Sequence, residues 1–143
     1  MRPYARDMAA TSTPATGDPW PGDELIADVF ARGCTSRQTL EDIASKWGIL
    51  ALLALHEGDY RFNALRRRVE GVSEKMLSQT LQTLERDGMV SREVHSTIPP
   101  RVEYSLTTLG SAVAGRIRGL TDLLESSTAE VNAARTAYDE RPA

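Results

Sequence analysis

The strongest hydrophobic pattern in the chain runs from Gly71 to Leu106. Leu77, Leu81 and Leu84 recur at steps of four and three, the spacing of one helical face. Ser73 stands before them as an N-cap, and Gly88 follows as a stop. Beyond Gly88, "VSREV" alternates as a strand does. So does "VEYSL", with Val102, Tyr104 and Leu106 on one face. "HSTIPP" separates the two, and its prolines predict a stiff, unpaired loop.

Upstream, "NALRRRVEG" predicts a short helix with Asn63 as N-cap, Leu65 and Val69 four apart, and Gly71 as terminator. "YRF" is too short to stand alone and predicts pairing with a later strand. "GILALLALHEG" is apolar almost all round, the mark of a buried helix, ended by Gly58 and Asp59. "SRQTLEDIASKW" predicts a helix capped by Ser36, with Leu40, Ile43 and Trp47 on one face. "DELIADVFARG" predicts another, with Leu25, Ile26 and Val29 on one side. Residues 1–23 are rich in Pro, Thr, Ala and Gly without periodicity, which predicts a flexible arm.

At the other end, one long helix is expected from Thr108 to Tyr138, with a tail over 139–143. Leu109, Val113, Ile117, Leu120 and Leu124 recur at steps of four, four, three and four. That stripe is longer than a small domain can cover, which predicts a partner chain. Leu25 and Val29 are expected to join this dimer interface. Gly115 and Gly119 form a GxxxG read as close helix packing.

The elements therefore run helix, helix, short strand, helix, helix, strand, loop, strand, long helix. The predicted fold is mainly α with a small β-hairpin: a winged helix-turn-helix over 24–124, dimeric through N- and C-terminal helices. In that arrangement the helix after Ser73 enters the DNA major groove. Its outer face holds Lys75, Gln79, Gln82 and Arg86, flanked by Ser78 and Thr83. Glutamine suits adenine, lysine and arginine suit guanine, and Ser/Thr fit either. Ser73, Lys75, Ser78, Gln79, Gln82 and Thr83 are the expected base-reading set. Arg61, Arg66, Arg67, Arg86, Pro100 and Arg101 are the expected phosphate and wing contacts, with Arg68 in the same basic run.

Charge supports that division only locally. The 143-residue chain carries a net charge of -3. Residues 61–101 hold eight Lys/Arg against five Asp/Glu, a surplus of +3, whereas residues 1–60 hold five against nine. A basic patch on an acidic protein still meets phosphates. With no run of 18 apolar residues and no signal-peptide core, the expectation is a cytoplasmic protein without a membrane span.

Candidate chemistry is sparse. Cys34 is the only cysteine, which excludes an internal disulfide. It precedes a predicted helix, with Arg32 and Arg37 nearby, and fits two readings: a passive half-buried thiol, or a sensor of oxidants or electrophiles. His56 and His95 are far apart, and no P-loop, dinucleotide fingerprint or nucleophile–base pair is visible. No cofactor, metal or enzymatic activity is expected. A winged-helix module that binds protein rather than DNA is an alternative, disfavoured by the arginine run and the glutamines. A cysteine-dependent enzyme has little support.

"SKWGILALLALHEGDYRFNALRRRVEGVSEKMLSQTLQTLERDGMV" followed by "IPPRVEYSLTTLG" resembles the HxlR-type family of bacterial transcriptional regulators. The likeness covers about Cys34 to Leu124. Its marks are Lys46-Trp47, the run Arg61–Leu65, the run from Gly71 to Leu81, the run from Pro99 to Thr107, and Gly110. It implies a homodimeric repressor or activator on a palindromic double-stranded operator, with the helix from Ser73 as reader and Pro99–Arg101 in the wing. It also places the family's N-terminal cysteine at Cys34, a sensor in some members. Here the family's usual Cys-Pro is Cys34-Thr35, and its Gly-Gly before Lys-Trp is Ala44-Ser45. A small-molecule effector is the alternative signal.

Overall fold

The structure, a computed structural model, describes residues 27–143, apart from the side chains of Ser96 and Thr97. The arm expected at residues 1–23, and Leu25 and Ile26, lie outside the described residues. The chain divides into two compact units, residues 1–44 and 45–143.

In the first unit, residues 27–34 form turns, so the described part of "DELIADVFARG" is not the expected helix. The Asp28 carboxylate accepts the Phe30 N–H at 3.0 Å, and its carbonyl accepts that of Ala31 at 3.0 Å. Such a local aspartate turn competes with helix formation. Helix α1 spans Thr35–Ile43. Its N-cap is Cys34, not Ser36 as expected.

The second unit opens with α2, Lys46–Glu57. The helix expected to run on to Trp47 is thus two helices. Ser45 divides them by accepting the Gly48 N–H at 3.1 Å as the cap of α2. Next come β1 (Tyr60–Arg61), α3 (Phe62–Arg68), α4 (Glu74–Arg86), β2 (Val90–Thr97), β3 (Pro100–Leu106), α5 (Thr108–Ser126) and α6 (Thr128–Asp139). Arg61, rather than Asn63, is the N-cap of α3.

The expected hairpin is a three-stranded antiparallel sheet of order β1-β3-β2. Tyr60 pairs with Tyr104 and Arg61 with Glu103, so the two residues of β1 gain the neighbour they need. The "HSTIPP" loop shrinks to Ile98 and Pro99, because Thr97 pairs with Pro100 and Ser96 with Arg101. Proline at the first position of a strand forfeits only a terminal bond, so it does not keep the strands apart.

The core collects around α2. Ala51, Leu52, Ala54 and Leu55 are buried, as are Leu65 of α3, Leu77, Leu81 and Leu84 of α4, Tyr104 of β3, and Ala114 and Ile117 of α5. The leucine stripe of α4 is therefore the inner face the sequence predicts. Ile117, expected in a dimer seam, belongs instead to the interior at 8% exposure. Gly110, Ala114 and Ile117 form the inward face of α5, whereas Leu109, Leu120 and Leu124, turned to one side of it, are about half exposed.

Two joints fix this unit. At the first, Thr107 caps α5 by accepting the Gly110 N–H at 2.9 Å. Its own N–H reaches the Met89 carbonyl at 3.0 Å and its hydroxyl reaches that of Gly88 at 2.6 Å. A Cβ on Gly110 would lie 1.9 Å from the Met89 oxygen, so only glycine permits this approach. At the second, Arg68 grips Glu57 through two nitrogens, Nε at 2.8 Å, and the Tyr60 hydroxyl donates to the same carboxylate at 2.9 Å. Those bonds, Arg68 first, hold the Glu57 carboxyl down at about 2.

The single C-terminal helix expected to Tyr138 is broken at Ser127. Ser126 donates to the Leu123 carbonyl at 2.9 Å and Thr128 to that of Glu125 at 3.1 Å. A cluster of hydroxyls bonding back onto the preceding turn weakens the helical ladder there. The GxxxG reading also changes. A Cβ on Gly115 would meet only His56 Nε2 at 3.9 Å, and one on Gly119 nothing within 4 Å.

These contrasts give a paired expectation. Gly110→Ala should lose about 1–3 kcal/mol of unfolding free energy through overpacking against rigid backbone. Gly119→Ala should be neutral or gain up to about 1 kcal/mol from helix propensity. Urea titrations followed by circular dichroism measure both, and equal midpoints would show that the joint has slack.

Candidate DNA-binding surface

Helices α3 and α4 are joined by a turn in which Gly71 takes φ +96, a backbone state that glycine adopts freely. The Trp47 ring backs this turn, 3.7 Å from where a Gly71 Cβ would stand, and Lys46 Nζ lies 4.6 Å over the same ring. The Lys-Trp pair thereby acts as a support for the turn. Ser73 then starts α4 by accepting the Met76 N–H at 3.1 Å.

With three leucines inward, α4 turns Lys75, Gln79, Gln82, Thr83 and Arg86 to solvent. Ser73 is also exposed, and Ser78 is half-buried at the edge. Met76 is 40% exposed on the same first turn. Sequence reasoning passed over it because a lone methionine carries no pattern; its position off the leucine stripe was the available signal.

The arginines divide by partner. Arg61 and Arg101, forty residues apart, line one concavity of about 290 Å³ with His95 and Glu103. A second, of about 460 Å³, gathers Arg61, Arg67, Pro100 and Arg101 between α3 and the wing. Arg66 and Arg67 line a third with Gly71 and Ser73, in the turn before α4. Among the described residues no ion pair engages Arg61, Arg67, Arg86 or Arg101, while Arg66 only approaches Glu74, at 4.0 Å. Arg86 stands at the far end of α4 and lines none of these concavities. Arg68 departs from its neighbours, since Glu57 takes it.

The wing also holds a contact the sequence reading missed: His95 Nε2 lies 3.0 Å from Glu103 Oε1. The pairing of Val94 with Val102 and of Ser96 with Arg101 skips His95, so local spacing could not reveal it. Ile98 at the wing tip is 89% exposed.

Away from this surface, Leu109, Leu120 and Leu124 are about half exposed and Val113 is half-buried; in the first unit, Val29 is exposed. Leu123, absent from the predicted stripe, is 61% exposed beside Leu124. In the first unit, the Cys34 Sγ lies 3.0 Å from the Ser36 hydroxyl and 3.4 Å from the Asp28 N–H. The Ser36 hydroxyl chiefly, with backbone N–H groups, holds the buried thiol below its usual value. Arg37, expected to act as a nearby cation, instead donates to Glu41 at 3.2 Å and to the Phe30 carbonyl at 3.2 Å.

Among the described residues, no three His, Cys, Asp or Glu side chains gather as a metal site, and no helix is long and apolar enough to cross a membrane.

The chain has close counterparts. The model of the HxlR-like helix-turn-helix family matches residues 42–132. The HTH-type transcriptional regulator YtfH of Escherichia coli is 49% identical over 116 residues, covering 81% of this chain and 90% of that protein. The solved structure of transcriptional regulator YtfH from Salmonella typhimurium superposes with a TM-score of 0.71 at 47% identity, covering 76% of this chain and 97% of the other. The redox regulator HypR in its reduced form superposes at 0.63 and 34% identity, covering 68% and 96%. On the fold, the motifs and these relatives together, the chain belongs to the HxlR-like helix-turn-helix family of transcriptional regulators.

Proposed function

We propose that the protein is a sequence-specific regulator that binds a palindromic operator as a homodimer in the cytoplasm. The observation that carries this reading is the division of labour on its surface. Hydrogen-bonding groups, uncharged apart from Lys75 near its start and Arg86 at its end, line the outer face of α4, while unengaged arginines gather at its approach and at the wing. Phosphate contacts position a protein and base contacts specify it. In this reading α4 reads bases through Ser73, Lys75, Ser78, Gln79, Gln82 and Thr83, with Met76 placed for a thymine methyl. Arg61, Arg66, Arg67, Arg86 and Arg101 hold the backbone on either side, with Pro100 shaping the wing.

Two substitutions separate the roles. Gln79→Ala should cost about 1–3 kcal/mol on the cognate site and relax base preference in a randomised-operator selection. Arg101→Ala should weaken cognate and random DNA alike and reduce the log–log salt slope by about one. An arginine whose loss is confined to the cognate sequence would be reading bases.

The dimer reading rests on Leu109, Leu120, Leu123 and Leu124, apolar side chains in water on one long helix, with Val113 at their edge and Val29 offered by the first unit. A two-fold dimer presents its readers about 34 Å apart, one turn of DNA. Leu120→Glu with Leu124→Glu should yield monomers by light scattering without loss of helical content. A dimeric double variant would move the seam elsewhere. Ile117→Glu, by contrast, should unfold the unit.

Cys34 supports a signal through thiol chemistry, since its hydrogen bonds favour thiolate and the redox regulator HypR shares the fold. With one cysteine per chain, the available products are an intermolecular disulfide or a mixed adduct. Treatment with diamide or a quinone should change operator affinity of the wild type and leave Cys34→Ser unaffected. Identical responses would return Cys34 to a packing role.

A further inference from the structure

A cleft of about 370 Å³ opens between α2, the end of α3 and α5, on no surface assigned above. Its size is that of small-molecule sites, which combine an apolar floor with a few placed polar groups. Leu50, Leu53 and Val69 supply the floor. Five charged side chains stand around it, and their existing partners decide what the cleft can accept.

Both cations are engaged. Arg68 is held by Glu57. Arg118 reaches Asp122 at 2.8 Å and Glu125 at 3.1 Å. An anion would have to displace a carboxylate from one of them. Glu70 is different: it lines the cleft, it is exposed, and among the described residues no ion pair engages it. Glu57, Glu70 and Glu125 outnumber Arg68 and Arg118, so the cleft keeps a negative surplus over an apolar floor.

We propose that this cleft binds a small hydrophobic organic cation, an aromatic or branched alkyl ammonium. Its charged head lies against Glu70, and its hydrocarbon covers Leu50, Leu53 and Val69. Glu70 adjoins Gly71, the positive-φ turn that leads into the Ser73 cap of α4. An occupant would therefore load the turn that aims α4. Binding stands on the cleft alone; its effect on DNA rests on the function proposed above.

The experiment is isothermal titration calorimetry of the full chain, without DNA, against benzyltrimethylammonium, phenylacetate and benzyl alcohol. The ammonium should saturate, with the anion and the alcohol at least about tenfold weaker. Glu70→Gln, at an exposed position, should weaken the ammonium by about threefold or more. Leu50→Lys should abolish binding, with circular dichroism verifying its fold. Absence of saturation by the ammonium, equal affinity for phenylacetate, or an unchanged Glu70→Gln would each overturn the proposal. None of these results bears on whether α4 reads DNA, and failure of operator binding would leave them intact.

Discussion

The arrangement of the second unit depends on the close approach of two backbones, at Met89 and Gly110. There the exit of α4 and the entry of α5 are fastened by Thr107, whose N–H and hydroxyl take the carbonyls of Met89 and Gly88. Gly110 can follow only because it has no side chain to strike Met89. The two strands of the wing lie between these points, so one joint sets the base of the wing and the end of α4 together. For the function proposed, a helix and a wing that moved independently could not address one stretch of duplex. Rigidity at this joint suits that reading, as preorganised contacts lose less freedom on binding.

Charge works by placement. The whole chain repels a polyanion weakly, yet Arg61, Arg67 and Arg101 come together from three elements. Local field matters more than net charge over distances of about a Debye length, ~8–10 Å in physiological salt. The same logic explains Arg68. It sits in an unbroken run of three arginines, but a carboxylate eleven residues earlier claims it and ties α3 to α2.

What could be read in advance was what short-range periodicity encodes. The leucines of α4 have one inward solution, Ser73 and Gly88 mark its ends, and an approximate alternation announces the wing strands, although Val94 is 51% exposed. Some misses were decided by a partner outside the window being read, others by local hydroxyl chemistry. Pro100 entered a strand because its missing donor faced the end of a ladder. Ile117 and Leu120 are three residues apart in one stripe, yet the packing of α5 on α2 places only the first inside. Local hydroxyl chemistry at Ser45 and at 126–128 broke helices whose hydrophobic pattern ran straight through. For the candidate surface, residue types on α4 were legible from the helical wheel, whereas the pairing of His95 with Glu103 needed the irregular register of β2 and β3.

The break at Ser127 leaves α6 as a twelve-residue helix with no buried residue of its own. Isolated helices of about 12–15 residues are marginal in water even with favourable sequences. Val131 and Tyr138 remain exposed on it, so among the described residues little beyond Arg141, stacked over the Tyr138 ring, covers its apolar side chains. The order of α6 is accordingly tied to the supply of a covering surface. By mass action, its helicity is then expected to rise with the amount of whatever surface covers it.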